Sequence, residues 1–384
     1  MIKWFFKYGA LFFLLNTILL SITETVVIGE FIFLVIMSVF SFLLLINPPQ
    51  IKKIIFHKAF RFFLILNLLN LFYWILFHEF SDFEAGKYLI ARGMQFSLIS
   101  FSVYHNQEYF KNKFLEHIVY AIAALIFIGF IVNPYIFSGR YSGIVWNPNM
   151  LASFSCLGFS ALFLNSKPKT NFDLFLLGVF LLVSLITGSR GVLVGVSLAF
   201  FLKFGFSSRN IIYGLLSFYG LLSFVSYLLV MSVELDTSFN RFASQGLFND
   251  RTLQYTYAFE TFLQKPFFGY GLDKYAYIDP SIIPDYLEGF IISAHNGYLA
   301  ILVQYGIFFS CIILGIIFYK TSKFIKYFRD GIALPVFYLY ILVYALISSL
   351  YETLITGINE FHTILFWIAL AVMSLNEFQM KNES

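Results

Sequence analysis

Long apolar stretches recur along this chain, and they constrain its fold more than any other feature. A membrane-spanning helix needs about 20 predominantly apolar residues, and twelve candidate segments of this kind follow one another in the sequence. Only 12% of the residues are charged, whereas a soluble domain carries about 25%. A water-soluble fold of 384 residues could not bury so much apolar surface. The composition therefore predicts an all-α polytopic membrane protein. It excludes a cytosolic enzyme, a secreted disulfide scaffold and a disordered chain.

The twelve predicted transmembrane segments form a single integral membrane domain over residues 1–384. They lie near residues 4–22, 26–46, 62–78, 87–104, 115–132, 149–165, 172–187, 191–204, 210–231, 295–319, 332–350 and 361–376. The seventh and eighth segments are short, so they could also form a bent hairpin that stops before the far membrane surface.

Lys and Arg are concentrated in every second connection between the predicted segments, as the positive-inside rule requires for cytoplasmic loops. With the N-terminus in the cytoplasm, 17 of the 25 Lys and Arg residues fall on the cytoplasmic side. The six that fall outside are Arg140, Arg190, Arg241, Arg251, Lys265 and Lys274. This asymmetry predicts about twelve spans with both termini in the cytoplasm.

One connection is much longer than the others. Residues 232–294 join the ninth and tenth segments outside the cytoplasm, and loops of this length are usually functional or disordered. Asn249 or Asp250 can cap a helix that runs to about Gln264 and ends before Pro266. The loop is therefore predicted to be a subdomain with short helices. Its tyrosines, Tyr270 among them, suit the membrane surface or sugar rings.

Arginines outside the cytoplasm need a reason other than membrane orientation. Arg190 lies within Thr187–Gly191, between two short segments, where a guanidinium is costly unless it faces a cavity or an anion. Its planar fork suits phosphate, and a snorkelling arginine at a helix end is the alternative. Arg251 begins the helix predicted in the long loop, and an ordinary solvated arginine is the alternative there.

Two further groups of polar residues, one around Arg140 and one pair, are candidates for binding substrate or lipid. Arg140 is close to Trp146-Asn147-Pro148-Asn149, in which either asparagine can also act simply as a helix cap.

Lys87 and Arg92 form the pair, at the outer end of the fourth segment. Arg92 would lie roughly 7 Å deeper than Lys87 at the rise of an α-helix. That depth predicts a buried cation facing the bundle interior. It would bind a lipid phosphate, or it would pair with a carboxylate such as Glu30 or Glu352.

His295 is the strongest candidate for catalysis. It precedes Asn296 at the outer end of the tenth segment, where the positive end of the helix dipole disfavours an imidazolium. A neutral imidazole accepts a proton, so the residue suits a general base near neutral pH. A capping or interfacial histidine is the alternative. His78 and His362 lie near outer helix ends and are expected to have no polar partners there.

Other kinds of site are not predicted. No two His or Asp residues outside the cytoplasm have metal-ligand spacing. No glycine-rich nucleotide loop follows a strand, and no basic and aromatic patch suits nucleic acid. The sequence therefore predicts no metal, no cofactor and no nucleic-acid partner.

Four stretches taken in order resemble the O-antigen ligase and polymerase superfamily. They are Trp146-Asn147-Pro148-Asn149-Met150-Leu151-Ala152, Thr187-Gly188-Ser189-Arg190-Gly191, Asp250-Arg251 leading into Lys265-Pro266-Phe267-Phe268-Gly269-Tyr270-Gly271, and His295-Asn296 followed by Gly306. They cover roughly residues 140–310. The first 130 residues match only in hydrophobicity and helix count.

The resemblance implies a C-type membrane glycosyltransferase on the periplasmic face of the bacterial inner membrane. The donor would be a glycan on undecaprenyl diphosphate. The acceptor hydroxyl would be on lipid A–core for a ligase, or on another lipid-linked repeat unit for a polymerase. His295 maps onto the proposed base, and Arg190 and Arg251 map onto the arginines that hold the diphosphate. These three are expected to converge in one outward cavity for a metal-independent, inverting displacement.

Further residues are expected to contact substrate or membrane lipid, namely Arg140, Asn147, Asn149, Lys87, Arg92, Asn296 and Tyr270. O-antigen ligase is the leading interpretation. Ligases of the superfamily often carry a small or hydroxyl residue three positions after the final Gly, and Phe309 at that position favours the polymerase. A protein O-oligosaccharyltransferase and a lipid-linked glycan flippase or transporter are the remaining alternatives. A transporter predicts internal repeats and ionisable residues at mid-membrane, whereas the unusual polar residues here gather at one face.

Overall fold

The protein is an all-α membrane protein, seen in a computed structural model that describes residues 2–46, 48–136, 140–189, 191–205, 209, 251–272, 294–332 and 334–383. The α-helices in these ranges are α1 Ile2–Leu20, α2 Val26–Leu45, α3 Pro48–Ile55, α4 Arg61–Phe77, α5 Phe83–His105, α6 Gln107–Asn112, α7 Phe114–Val132, α8 Pro148–Leu164, α9 Asn171–Ile186, α10 Gly191–Phe204, α11 Thr252–Gln264, α12 Gly297–Arg329, α13 Val336–Ser348 and α14 Phe361–Glu383. In the same ranges β-pairing is limited to an isolated bridge between Ile22 and Val145.

Eleven of the twelve predicted apolar segments coincide with helices. Most boundaries agree to within a few residues, but α12 and α14 continue to Arg329 and Glu383 rather than ending near residues 319 and 376. The remaining predicted segment, at 210–231, lies outside the described residues. Two short helices, α3 and α6, are not indicated by the apolar pattern.

Of the predicted long loop 232–294, the structure describes residues 251–272 and 294. Helix α11 lies in this part and ends at Gln264, as the proline at position 266 predicts. Its N-cap position is occupied by Arg251 without a capping side-chain hydrogen bond. The predicted capping by Asn249 or Asp250 falls on residues outside the described part.

Five helices of the described ranges are long and apolar enough to cross a membrane. They are Thr23–Leu45, Lys58–Phe77, Phe114–Val132, Gly297–Arg329 and Phe361–Asn382. In the most apolar stretch of the last of these, 94% of the residues are buried within the protein, against 22% in Thr23–Leu45. The helix at Phe361 therefore packs among other helices, whereas most residues in the one at Thr23 are not buried by the described part of the chain. The total of twelve crossings stays a prediction.

The described residues form two compact units. One comprises Met1–Thr17, Gly29–Gln107 and Asp250–Ser384, and the other comprises Ile18–Ile28 and Glu108–Asn249. In the first unit α14 packs against α5, α12 and α13. In the second unit α8 packs against α7, α9 and α10. Residues Thr170 and Asp173 form a capping box that starts α9.

Helix α12 is broken at Gly306, whose φ of 65° and ψ of 179° are not helical. The break removes intrahelical partners from nearby backbone groups, which must be satisfied elsewhere when they lie away from water. Residues 266–271, which follow α11, supply these partners. The amide of Ile307 donates to the Pro266 carbonyl at 2.8 Å. The amide of Tyr270 donates to the Val303 carbonyl, also at 2.8 Å.

Two glycines allow this close contact between the 266–271 segment and the helix. A Cβ on Gly306 would overlap the backbone of Phe267, and a Cβ on Gly269 would overlap the carbonyl of Gln304. Both glycines also have positive φ, of 65° and 72°, which other residues adopt only at a cost. The glycines that carry the family resemblance in these stretches therefore have a packing role.

Substitution of Gly306 by alanine is expected to destabilise the protein. The new Cβ would meet backbone atoms, and the left-handed conformation alone costs roughly 1–2 kcal/mol. Gly315 of the same helix is the matched control, because a Cβ there meets nothing within 4 Å. Gly315→Ala should leave the melting temperature unchanged or slightly raised. Thermal unfolding of the purified variants in detergent measures both effects, and equal melting temperatures for the two variants would contradict this account of the kink.

Candidate functional site

His295 stands immediately before α12 in an unusual backbone conformation. Its φ is 39°, the only positive φ of a non-glycine residue among those described. Such conformations are uncommon outside glycine and persist only where the surroundings enforce them, often at functional sites. The fold therefore holds this histidine in a set position at the start of the helix.

The residues that follow His295 attach the start of α12 to the connection between α13 and α14. The Asn296 side chain caps α12 by accepting from the amides of Tyr298 and Leu299, each at 3.0 Å. Its Nδ2 donates to the Leu350 carbonyl at 3.1 Å. The Gly297 amide donates to the carbonyls of Ser349, at 2.8 Å, and Glu352, at 3.0 Å. Asn296, rather than His295, is therefore the capping residue.

One carboxylate joins His295 and Arg251. Glu352 Oε1 lies 2.7 Å from Arg251 Nη2, and Glu352 Oε2 lies 3.4 Å from His295 Nδ1. The side chains of Arg251, His295 and Glu352 are 23%, 29% and 24% exposed. These three side chains, called the trio below, are therefore partly buried. Protein contacts hold them in place, and part of each remains accessible to solvent.

The electrostatics of the trio favour an ionised Glu352 carboxylate, which fixes the nitrogen of His295 that faces it. Burial raises the pKa of the Glu352 carboxyl. The hydrogen bond from His295 and the charge of Arg251 outweigh burial, so the pKa lies below its usual range. An ionised carboxylate only accepts hydrogen bonds, so Nδ1 of His295 carries the proton in this contact. In the neutral ring Nε2 is then the nitrogen with the lone pair, as a general base requires.

Arg251 is held by the same connection between α13 and α14. Its guanidinium carbon lies 6.0 Å from the centre of the Tyr351 ring. One turn further along α11, the Tyr255 hydroxyl donates to the Leu350 carbonyl at 3.1 Å. The start of α11 and the start of α12 thus both contact residues 349–352. This short connection brings together two stretches that are far apart in the sequence.

In the second unit, Arg140 links two of the stretches predicted to bear function. Its Nε donates to the Thr187 carbonyl at 3.0 Å, and its Nη2 donates to Asn149 Oδ1. Asn147 caps α8 by accepting from the Asn149 amide at 2.8 Å. Arg190 lies outside the described residues, so its expected convergence with His295 and Arg251 stays a prediction.

The remaining predicted residues lie in the first unit. Lys87 is exposed, 2.7 Å from Glu84. The predicted burial of Arg92 is confirmed, because this residue is 4% exposed. Its guanidinium donates to the carbonyls of Thr356 and Gly357. The Tyr270 hydroxyl donates to Gln264 Oε1 at 2.7 Å.

Sequence reasoning missed the roles of Glu352 and His78. The sequence suggests Glu352 only as a partner for Arg92, although its position on the same predicted side as Arg251 is a signal. The expectation that His78 lacks polar neighbours is wrong. Its Nδ1 lies 2.7 Å from Asp82 Oδ2, and its Nε2 accepts from the Leu272 amide at 3.1 Å. His78, held by Asp82, therefore fixes Leu272, which directly follows the 266–271 segment packed on the kink of α12.

No group of three or more His, Cys, Asp and Glu side chains in the described ranges could hold a metal ion.

A comparison with models of protein families gives a match mostly in the second half of the chain. Residues 174–314 match a family model described as O-Antigen ligase. The matched range contains three of the four stretches that carry the resemblance, including Arg190, Arg251 and His295. No curated protein matches the chain.

Glu352 is expected to contribute to stability in a pH-dependent way. Because its pKa is lower in the folded protein, the ionised carboxylate stabilises the fold above the usual carboxyl pKa. This contribution is lost as the pH falls through the lower folded-state value. The melting temperature of Glu352→Gln should therefore fall below that of the wild type at pH 7, and the gap should narrow as the pH approaches 4.

Glu116→Gln is the matched control for this measurement. Glu116 is an exposed partner of Lys167, so its removal should cost little at any pH. The unfolding of all three proteins would be followed in detergent between pH 4 and pH 8. A gap for Glu352→Gln that stays constant over this range would contradict the assignment.

Proposed function

We infer the function of this chain from one premise, that it belongs to the O-antigen ligase superfamily. The family indicates a ligase or polymerase type of activity on lipid-linked glycans. Within this class, the proposed reaction is transfer of a glycan from undecaprenyl diphosphate to a hydroxyl of lipid A–core. The proposed location is the periplasmic face of the bacterial inner membrane.

The observation that carries this proposal is the shared carboxylate of Glu352. It contacts an arginine suited to a phosphate group and a histidine suited to a hydroxyl group. A glycan transfer from a diphosphate donor needs both of these functions close together. A flippase or transporter also needs to recognise the diphosphate, but its transport step removes no proton from an acceptor hydroxyl.

In the proposed reaction the acceptor oxygen attacks the anomeric carbon of the donor. The bond from that carbon to the diphosphate oxygen breaks, and negative charge develops on the departing undecaprenyl diphosphate. A guanidinium has five N–H donors, so Arg251 can contact Glu352 and a phosphate at the same time. Fixed positive charge at this point stabilises the transition state more than the bound donor. The resemblance assigns the same role to Arg190.

His295 supplies the general base. Its Nδ1 faces Glu352, so the proton of the acceptor hydroxyl would pass to Nε2 as the new glycosidic bond forms. The resulting imidazolium is stabilised by the ionised carboxylate, as in other histidine and carboxylate pairs. Attack opposite the leaving diphosphate inverts the configuration at the anomeric carbon. No nucleotide is needed, because the donor is already activated by its diphosphate.

A polymerase is the second candidate, and Phe309 is the residue that favours it. Its ring is 4.9 Å from that of Tyr73 and 5.8 Å from that of Phe77, both in edge-on contact. The position that often holds a small or hydroxyl residue in ligases is thus filled by a large side chain in an aromatic cluster. In a polymerase the same base and arginines would act on a second lipid-linked repeat unit.

His295→Ala is expected to lower glycan transfer by about 10²- to 10⁴-fold, the usual contribution of a general base. The assay combines purified protein in lipid with a lipid-diphosphate glycan donor and either core lipid or more donor as acceptor. His117→Ala is the matched control, because this histidine is exposed on α7 in the second unit, where its Nδ1 is hydrogen-bonded to the Tyr109 hydroxyl.

The products separate the two candidate functions. Glycan attached to core lipid identifies a ligase, and a ladder of longer chains on the lipid carrier identifies a polymerase. If His295→Ala retains wild-type transfer while His117→Ala behaves identically, the histidine has no part in the mechanism.

A further inference from the structure

We propose that Arg92 is a positioning residue that sets the contact between Glu352 and His295. Arg92 lies in α5, and its guanidinium contacts the connection between α13 and α14 at Thr356 and Gly357. The same connection carries Glu352. This inference rests on the proposed function for its kinetic test, but its structural part stands independently of that function.

The contacts of Arg92 match the geometry of a guanidinium. Nη1 donates to the Gly357 carbonyl at 3.1 Å and to Gln95 Oε1 at 2.8 Å. Nη2 donates to the Thr356 carbonyl and, at 3.1 Å, to the Tyr88 hydroxyl. A planar guanidinium presents its donors to these four acceptors in a fixed arrangement, whereas an ammonium has only three donors and no such plane. The two consecutive carbonyls are therefore held by one rigid group.

A second side chain of α5 extends this contact by one residue. Gln95 Nε2 donates to the Ile358 carbonyl at 2.9 Å. Three consecutive carbonyls of the connection, at positions 356 to 358, therefore accept from α5. Gln95 is fully buried, so these bonds form where an unsatisfied carbonyl would be costly.

A short turn relates these contacts to Glu352. The Thr356 hydroxyl donates to the Thr353 carbonyl at 3.1 Å. This hydrogen bond forms a turn that joins the residues held by α5 to Thr353, which directly follows Glu352. On its other side the Glu352 amide donates to the Ser348 carbonyl at 2.8 Å. The backbone of Glu352 is thus fixed between the end of α13 and the side chains of α5.

The surroundings of Arg92 favour this role over binding of a lipid phosphate. The cavity that Arg92 lines has apolar walls, such as Leu66 and Trp367, and polar ones, such as Asn70 and Gln304. Nη1 and Nη2 of Arg92 each donate two hydrogen bonds to protein acceptors, so none of their four N–H groups is left for a phosphate. A cation buried at this depth is expensive, and the cost is met here by hydrogen bonds to the backbone of the connection.

The reaction is sensitive to this kind of positioning. A displacement of about 1 Å at a reacting group can lower the rate about 10²-fold. Arg251 shares the same carboxylate, so a displaced Glu352 also changes its contact with the donor. The expected signature of an Arg92 variant is therefore a fall in kcat that is larger than any change in KM for the donor.

The kinetic test compares Arg92→Gln and Arg92→Lys with Arg329→Gln. Arg92→Gln should lower kcat about 10²-fold, and Arg92→Lys should give an intermediate value because lysine keeps the charge but not the fork. Arg329 is 76% exposed near the end of α12, so its variant should match the wild type. A raised KM with unchanged kcat would overturn the proposal and indicate that Arg92 binds donor.

A double-mutant cycle tests whether Arg92 acts through Glu352. If it does, Arg92→Gln should cause little further loss of kcat in a Glu352→Gln background. Fully additive losses would overturn the proposal, since they would mean that the two residues act separately. Arg92→Lys takes the place of Arg92→Gln in the cycle if the glutamine variant is not recovered in folded form.

Hydrogen exchange separates this inference from the proposed function. Backbone amides at 349–360 should exchange faster in Arg92→Gln or Arg92→Lys than in the wild type, whereas those of α9 should not change. If exchange rises but the wild type transfers no glycan, the proposed function fails and the positioning role stands. If the wild type is active and neither exchange nor kcat changes, the positioning role fails and the proposed function stands.

Discussion

The carboxylate of Glu352 is the interaction on which the candidate site depends. It is partly buried, and burial alone would favour its protonated form. The hydrogen bond from His295 and the charge of Arg251 outweigh that effect and hold the pKa of the Glu352 carboxyl below its usual range. The dependence is mutual, since removal of one member of a partly buried ionic group leaves another without compensation. The three side chains therefore form one unit, and their effects on activity should not be additive.

The connection between α13 and α14 positions the site because the starts of α11 and α12 both contact it. Gly297 and Asn296 attach the start of α12 to it, and Tyr255 attaches α11. A separate set of contacts holds the 266–271 segment against the kink of α12. There the Tyr73 hydroxyl donates to the carbonyls of Phe268 and Gln304. In a membrane, irregular backbone is tolerated only where protein satisfies its polar groups, and these contacts provide that satisfaction.

The helices were predictable from the sequence because membrane burial requires long apolar runs. The end of α11 and the burial of Arg92 followed from local rules about proline and helix rise. Contacts between distant residues did not follow. Glu352 and His295 are 57 positions apart, and nothing local indicates which carboxylate meets which cation. The kink at Gly306 could not be predicted either, because it depends on contacts with residues 266–271, which are distant in the sequence. The O-antigen ligase resemblance, carried by four short stretches, is confirmed by the family match.

In the proposed mechanism a ligase and a polymerase would use the trio of Arg251, His295 and Glu352 in the same way. Both reactions would break the same bond to a diphosphate and remove a proton from a hydroxyl. The choice must therefore be made by surfaces that meet the acceptor. Phe309 packs on Tyr73, and Tyr73 in turn holds the backbone of Phe268. A residue at position 309 thus acts on the placement of the 266–271 segment rather than on the reacting atoms. We therefore expect variation at this position to move the 266–271 segment without changing the contacts among Arg251, His295 and Glu352.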